Sequence, residues 1–128
     1  MATITATVQF LFNTPPVVQI SWLGFVNSGD VGNLVSYPGV GDKTVQFVGA
    51  SGNTFGVSLT AVLRGSMINS IGVASILKDP TGANITTSSL ATFAIMENPR
   101  YIAPDITYAG SGTGVALDVI VIATAPVG

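Results

Sequence analysis

Forty-one of the 128 residues are Val, Ile or Thr, and 15 Gly and 7 Pro interrupt them at short intervals. Branching at Cβ stiffens a side chain and suits it to a pleated strand, while frequent Gly and Pro cut the chain into segments too short for helices. Such a chain is expected to be all-β. Its length provides one core rather than two, so residues 1–128 read as one β-sandwich domain. Residues 87–96 lack both breakers, and a helical turn is expected there.

The N-terminal pattern has a period of two. Ile4, Ala6, Val8, Phe10 and Phe12 alternate with Thr3, Thr5, Thr7, Gln9 and Leu11, which predicts one strand with one apolar face. Pro15 and Pro16 stop it, because neither can donate to a ladder. Residues 1–16 therefore read as an N-terminal strand or arm. Val17–Val26 follows as a second strand carrying Trp22, the one tryptophan. Further strands are expected at 44–48, 55–63, 71–77, 91–96, 100–102, 105–108 and 115–124. Asp79-Pro-Thr-Gly82 spells a type I turn, with Asp accepting from the backbone, Pro presetting φ and Gly closing. About eight to nine short strands at this spacing indicate a sandwich or barrel.

Charge narrows the function. The chain has four basic and six acidic residues, no His and no Cys. Lys43, Arg64, Lys78 and Arg100 are scattered, so no cluster exists to neutralise phosphates, and nucleic-acid binding is not expected. Thiolate metal sites and Cys or His nucleophile pairs are impossible. Asp30 and Asp42 in Gly-rich loops are the nearest approach to an oxygen-ligand site, without the spaced acids that Ca²⁺ loops use. Asp79, Glu97, Asp105 and Asp118 complete the acids, and no spacing joins two of them into a glycosidase pair. Ser66 has no base beside it in sequence. Gly110-Ser-Gly-Thr-Gly114 lacks the following helix that a phosphate loop requires, and reads as a hairpin. Asn84-Ile85-Thr86 matches a glycosylation acceptor triplet. No catalytic residue, metal or cofactor is expected. No apolar run is long enough to span a membrane as a helix, and residues 1–26 lack the basic start of a signal peptide.

Ten charges on a domain expected to expose roughly 6,300 Å² is sparse for a protein that stays apart from its neighbours. The surface is therefore expected to be coated in Thr, Ser, Asn and Gly, and part of it to be covered in the working state.

Several stretches resemble the small capsid decoration (cement) proteins of short-tailed phages. They are Thr44-Val-Gln-Phe-Val-Gly49, Val57-Ser-Leu-Thr-Ala-Val-Leu-Arg-Gly-Ser66, Leu77-Lys-Asp-Pro-Thr-Gly82, Glu97-Asn-Pro-Arg-Tyr-Ile-Ala-Pro104 and Gly110-Ser-Gly-Thr-Gly-Val-Ala-Leu-Asp-Val119. Their order and spacing carry the likeness, over about two thirds of the chain from Thr44 onward. One departure follows Gly65-Ser66: the pattern's Asn-Asp-Gly and Trp are replaced by the more apolar Met67-Ile68-Asn69-Ser70. The resemblance implies a jelly-roll fold and a virion protein on the outer capsid surface. It further implies a homotrimer that binds the major capsid protein and braces junctions between capsomers, with no enzymatic activity.

On that reading the candidate subunit or capsid contacts are Phe10, Phe12, Pro15 and Pro16 on the N-terminal arm, Trp22, the arginines Arg64 and Arg100, and Tyr101. An edge strand with an apolar face invites pairing, and Arg is the favoured interface cation. The competing reading is a glycan-binding sandwich module of a phage or bacterial surface protein, with Trp22, Phe25 and Tyr37 as an exposed stacking platform. Core packing of Trp22 and Phe25 is the plainer alternative to that platform.

Overall fold

The computed structural model describes residues 3–13, 16–25, 30–36, 43–49, 59–87, 91–97, 99–108 and 117–124. Twelve strands are described: β1 (Thr3–Ile4), β2 (Thr7–Asn13), β3 (Pro16–Phe25), β4 (Val31–Gly32), β5 (Val35–Ser36), β6 (Lys43–Gly49), β7 (Leu59–Ser66), β8 (Ser75–Ile76), β9 (Thr86–Thr87), β10 (Ala91–Ala94), β11 (Tyr101–Tyr108) and β12 (Leu117–Thr124). One sheet has the order β10-β6-β12-β3-β2. The other runs β1-β4-β11-β7-β8, with β5 also on β11 and β9 also on β7. All pairings are antiparallel except the short β1–β4 contact.

From β3 onward the chain crosses repeatedly between the sheets, staying in one sheet only within the runs β4–β5 and β7–β8–β9. The late strands insert between early ones, β12 between β3 and β6, and β11 between β4 and β7. That interleaving of two Greek keys is the jelly roll. The fold is the all-β sandwich the composition predicts, with more strand segments because several strands are cut into pieces.

The core lies between the sheets and is lined by alternate residues. β6 and β12 bury every second side chain: Val45 and Phe47 on one, Leu117, Val119, Val121 and Ala123 on the other. Ile20, Trp22 and Phe25 from β3 meet Ala61 and Leu63 of β7 and Ile102 and Ile106 of β11 in the same cluster. Phe93 of β10 packs its ring edge-on against Phe47, with centroids 6.0 Å apart. Each fully buried large aliphatic contributes about 1.5–3 kcal/mol relative to exposure, so this cluster dominates the stability.

Gly32 is set by close approach and Gly24 by backbone conformation. A Cβ on Gly32 would stand 2.5 Å from Pro104 Cδ and 2.7 Å from Trp22 Cδ1. Gly24 has φ +91° and sits where the β3–β12 register shifts, between the pairs Leu117–Phe25 and Asp118–Leu23. It is the extra residue of a bulge, and its amide donates to Asp118 Oδ1 at 2.9 Å.

The structure corrects four sequence expectations. The N-terminal segment is not one strand: β1 joins the seven-stranded sheet and β2 the five-stranded sheet, and the chain crosses between them at Thr5 and Ala6. Residues 100–108 do not break at Pro104. β11 is continuous, and the neighbouring strand is interrupted instead, because Val31 pairs with Asp105 and Val35 with Ile102. Three residues, Gly32–Leu34, thus face Ala103 and Pro104, and the proline lies opposite this break in its neighbour. The segment 71–77 is mostly not a strand. Ile71–Val73 is a 3-10 turn and only Ser75–Ile76 pairs. Where a helical turn was expected in 87–96, the described residues hold strand β10. The predicted hairpin at 110–114 lies outside the described residues.

The Asp79 turn forms as the sequence predicts. Gly82 N donates to Asp79 O at 3.0 Å, and Asp79 Oδ1 accepts from Thr81 N at 2.8 Å, Thr81 Oγ1 at 2.6 Å and Ala83 N at 3.1 Å. The Thr81 hydroxyl and these amides hold the Asp79 carboxyl below its ordinary pKa, because each bond favours the charged form. A depressed carboxyl stabilises the fold above its unfolded-state pKa and loses that contribution as pH falls through its folded value. The stability lost between neutral and strongly acidic pH should therefore be smaller in Asp79→Ala than in the unaltered chain, read from urea midpoints. Gly24→Ala should lower stability by about 1–2 kcal/mol, the cost of a left-handed conformation for a residue with Cβ. Gly72→Ala, with only Ser70 Oγ near its Cβ position at 3.9 Å, should stay within about 0.5 kcal/mol in the same assay.

Candidate interaction surfaces

The charged side chains are engaged mainly by the fold itself. Asp118 caps the bulge, Asp79 closes its turn, and Glu97 Oε1 accepts from Lys78 N at 2.6 Å. Lys78 Nζ donates to Asn84 Oδ1 at 2.6 Å, so the triplet's asparagine is tied into its own hairpin. Asp30 is fully buried, Lys43 nearly so, and Asp42 lies outside the described residues. Among the described residues no three acidic, His or Cys side chains gather as a metal set, and no helix is long and apolar enough to cross a membrane.

Of the contacts expected from sequence, Trp22 is not on the surface. It is fully buried, and its Nε1 donates to Asn33 O at 3.1 Å and Asn33 Oδ1 at 3.2 Å. The indole is the largest side chain of the core, and its one donor is satisfied inside it. Phe25 is fully buried as well. Two members of the expected stacking platform are therefore core residues, and the third, Tyr37, lies outside the described residues. Burial of Trp22 also removes it as a subunit or capsid contact.

Arg64 projects from the outer face of β7 and pairs with Asp105 of β11, Nε to Oδ2 at 3.2 Å, both partly exposed. The two are diagonal neighbours: Arg64 is opposite Ala103, and Asp105 is opposite Val62. Beneath them Ala103 is fully buried. Nothing in the linear pattern points to this partner, since 41 residues separate the two. Arg100 is exposed and holds its guanidinium 5.9 Å from the centre of the Tyr101 ring, a cation–π distance. Pro16 is the first residue of β3, opposite Asn13. Phe12 stands opposite Val17 in the ladder, and Pro15 lies outside the described residues.

Exposed apolar side chains gather in three places. Val8, Phe10 and Leu11 lie on β2. Val8 is opposite Ile20 and Phe10 opposite Val18, so both point to the core side of their sheet. They are nonetheless 49% and 66% exposed. Met67, Ile68, Ile71 and Val73 are exposed on the loop between β7 and β8. That loop separates a groove of about 390 Å³ bordered by Ser66, Val73, Ile76 and Glu97 from one of about 210 Å³ bordered by Thr3, Val31, Leu34 and Ile71. The sequence had marked this tip as unusually apolar.

The third place is the outer face of the five-stranded sheet. Thr44, Gln46, Thr92, Ile120 and Ile122 border a shallow depression of about 210 Å³ there, and Leu23 is exposed on the same face of β3. The face carries one charged group among its described residues, Asp118, whose carboxylate accepts from the Gly24 amide. It is a broad, nearly neutral surface. The whole chain exposes 6524 Å², and of its ten charged residues Asp30 and Lys43 are buried.

No protein-family model matches the chain, and no curated protein matches it.

Arg64→Ala should cost less than about 1 kcal/mol in unfolding free energy, because a half-exposed pair is well screened by water. A double-mutant cycle with Asp105→Ala measures the coupling directly. If Arg64 and Arg100 anchor an interface, Ala at each position lowers assembly. Unchanged assembly in both variants leaves them as surface residues of the fold.

Proposed function

We propose that the chain is a structural virion protein: a capsid decoration (cement) protein that sits on the outside of a short-tailed phage head and stabilises junctions between capsomers of the major capsid protein. It acts as a homo-oligomer and not as a catalyst. The observation that carries this reading is the broad outer face of the five-stranded sheet, with Thr, Gln and Ile in place of charges. A neutral face of that kind gives a modest contact by itself, and symmetry repeats the contact many times over a shell. Once one subunit of an oligomer is seated, each further contact forms at high effective concentration. The physical task is to hold capsomers together against the outward pressure of packaged genome, which calls for many contacts rather than one tight site.

The jelly roll is the fold the resemblance implies, and it supports the reading only as a scaffold, because one fold hosts many functions. The glycan-module alternative has lost two of its three platform aromatics to the core, and no other observation favours it.

The purified chain should bind expanded heads that lack their decoration protein and raise the temperature at which they release DNA. Leu23→Lys combined with Ile122→Lys should weaken head binding at least about tenfold, since each places a charge in an apolar contact. Circular dichroism should be unchanged, because both side chains are exposed. Head binding that survives both substitutions, or stabilisation that never occurs, would sink the proposal.

A further inference from the structure

We infer that β2 is the contact through which two copies of this chain join. The two β2 strands run antiparallel about a two-fold axis at Gln9, with Val8 of each copy opposite Phe10 of the partner subunit. The inference rests on the self-association in the proposed function and is independent of the capsid. It puts a two-fold contact where the resemblance implies a three-fold one.

The first argument concerns sheet edges. An edge strand offers a row of unpaired backbone groups, and proteins guard such edges with charges, prolines, bulges or short length. Three of the edges here are short: β10 has four residues, and β1 and the β8 and β9 pieces have two each. β2 has seven residues and, among the described residues, pairs with β3 alone. No charged residue occurs anywhere before Asp30. A register shift between Phe10 and Phe12 marks where the regular edge ends. Thr7 to Phe10 is left as a regular, uncharged edge, and the same edge of another copy is a partner of matching length that brings no charge.

The second argument concerns side chains. Opposed residues of an antiparallel pair share a face, so a two-fold axis perpendicular to the sheet must match residues of the same parity. An axis at Gln9 satisfies this and matches Val8 with Phe10, both on the core side and both uncovered. The pairing would cover apolar surface that the fold leaves exposed, with one aromatic–β-branched pair on each side of the axis. Neither strand brings a charge to the contact, so like charges never meet across the axis.

The chain contains no cysteine, which makes a single introduced one an unambiguous probe. A two-fold axis at Gln9 brings that residue next to its own copy, which a head-to-tail contact cannot do. Under mild oxidation Gln9→Cys should form a covalent dimer, and Leu23→Cys, on the outer face of β3, should not. Light scattering of the unaltered chain should give twice 13.0 kDa. Phe10→Lys should raise the dissociation midpoint about tenfold or more, and Met67→Lys, on the apolar loop, should leave it unchanged. Phe10 is exposed, so thermal unfolding of the variant at low concentration checks that the fold is intact.

A monomer at every concentration up to about 1 mM overturns the inference. So does a mass of three times 13.0 kDa that survives Phe10→Lys, or a dimer lost in Met67→Lys but kept in Phe10→Lys. Head binding is read separately. A β2 dimer that never binds heads removes the decoration reading and leaves this contact standing, whereas intact head binding without any dimer removes the contact.

Discussion

The indole of Trp22 must be buried for the two sheets to close, and its N–H must then find an acceptor where water cannot supply one. Asn33 meets that need twice, through its carbonyl and through Oδ1. The same Oδ1 accepts from the Ala6 amide at 2.8 Å, at the point where the N-terminal segment leaves one sheet for the other. Asn33 is placed to do this because the strand beside β11 is interrupted between Val31 and Val35. Gly32 allows the interruption to press against both Trp22 and Pro104. One buried donor thus links the core, the break at β4 and β5, and the position from which β2 departs.

Much of this fold is legible in the residues. The strict alternation of β6 and β12 is visible as period two, and the Asp79 turn follows from local chemistry alone. The N-terminal alternation is equally regular and misleads, because periodicity states which side chains share a face and not which sheet the strand joins. Ile4 and Ala6 pack against one core region before the crossing, and Val8 and Phe10 emerge beyond the cover after it. Pro104 misleads for a related reason: a proline interrupts a ladder, but here the interruption falls on the neighbouring strand. The pairing of Arg64 with Asp105 was out of reach, since it depends on strand order. Trp22 and Phe25 carry no sequence mark that separates a core aromatic from an exposed one. The apolar character of the 67–73 tip, by contrast, was plain in its composition.

The distribution of charge follows a consistent logic. With so few carboxylates, the chain places three of them, Asp118, Asp79 and Glu97, on backbone amides: at a bulge, in a turn, and on the Lys78 amide. Such bonds to charged acceptors are stronger than neutral ones, and they leave the broad faces neutral. The fold gains local definition and the surface loses the repulsion that keeps ordinary domains apart.

That neutrality has a thermal consequence. A contact made of Val, Phe, Thr and Gln contains no ion pair for salt to screen and no group that titrates near neutrality. Its strength comes mainly from apolar burial, which weakens on cooling. Assemblies built from the uncharged first 29 residues would hold in brine and across ordinary pH, and would loosen first in the cold.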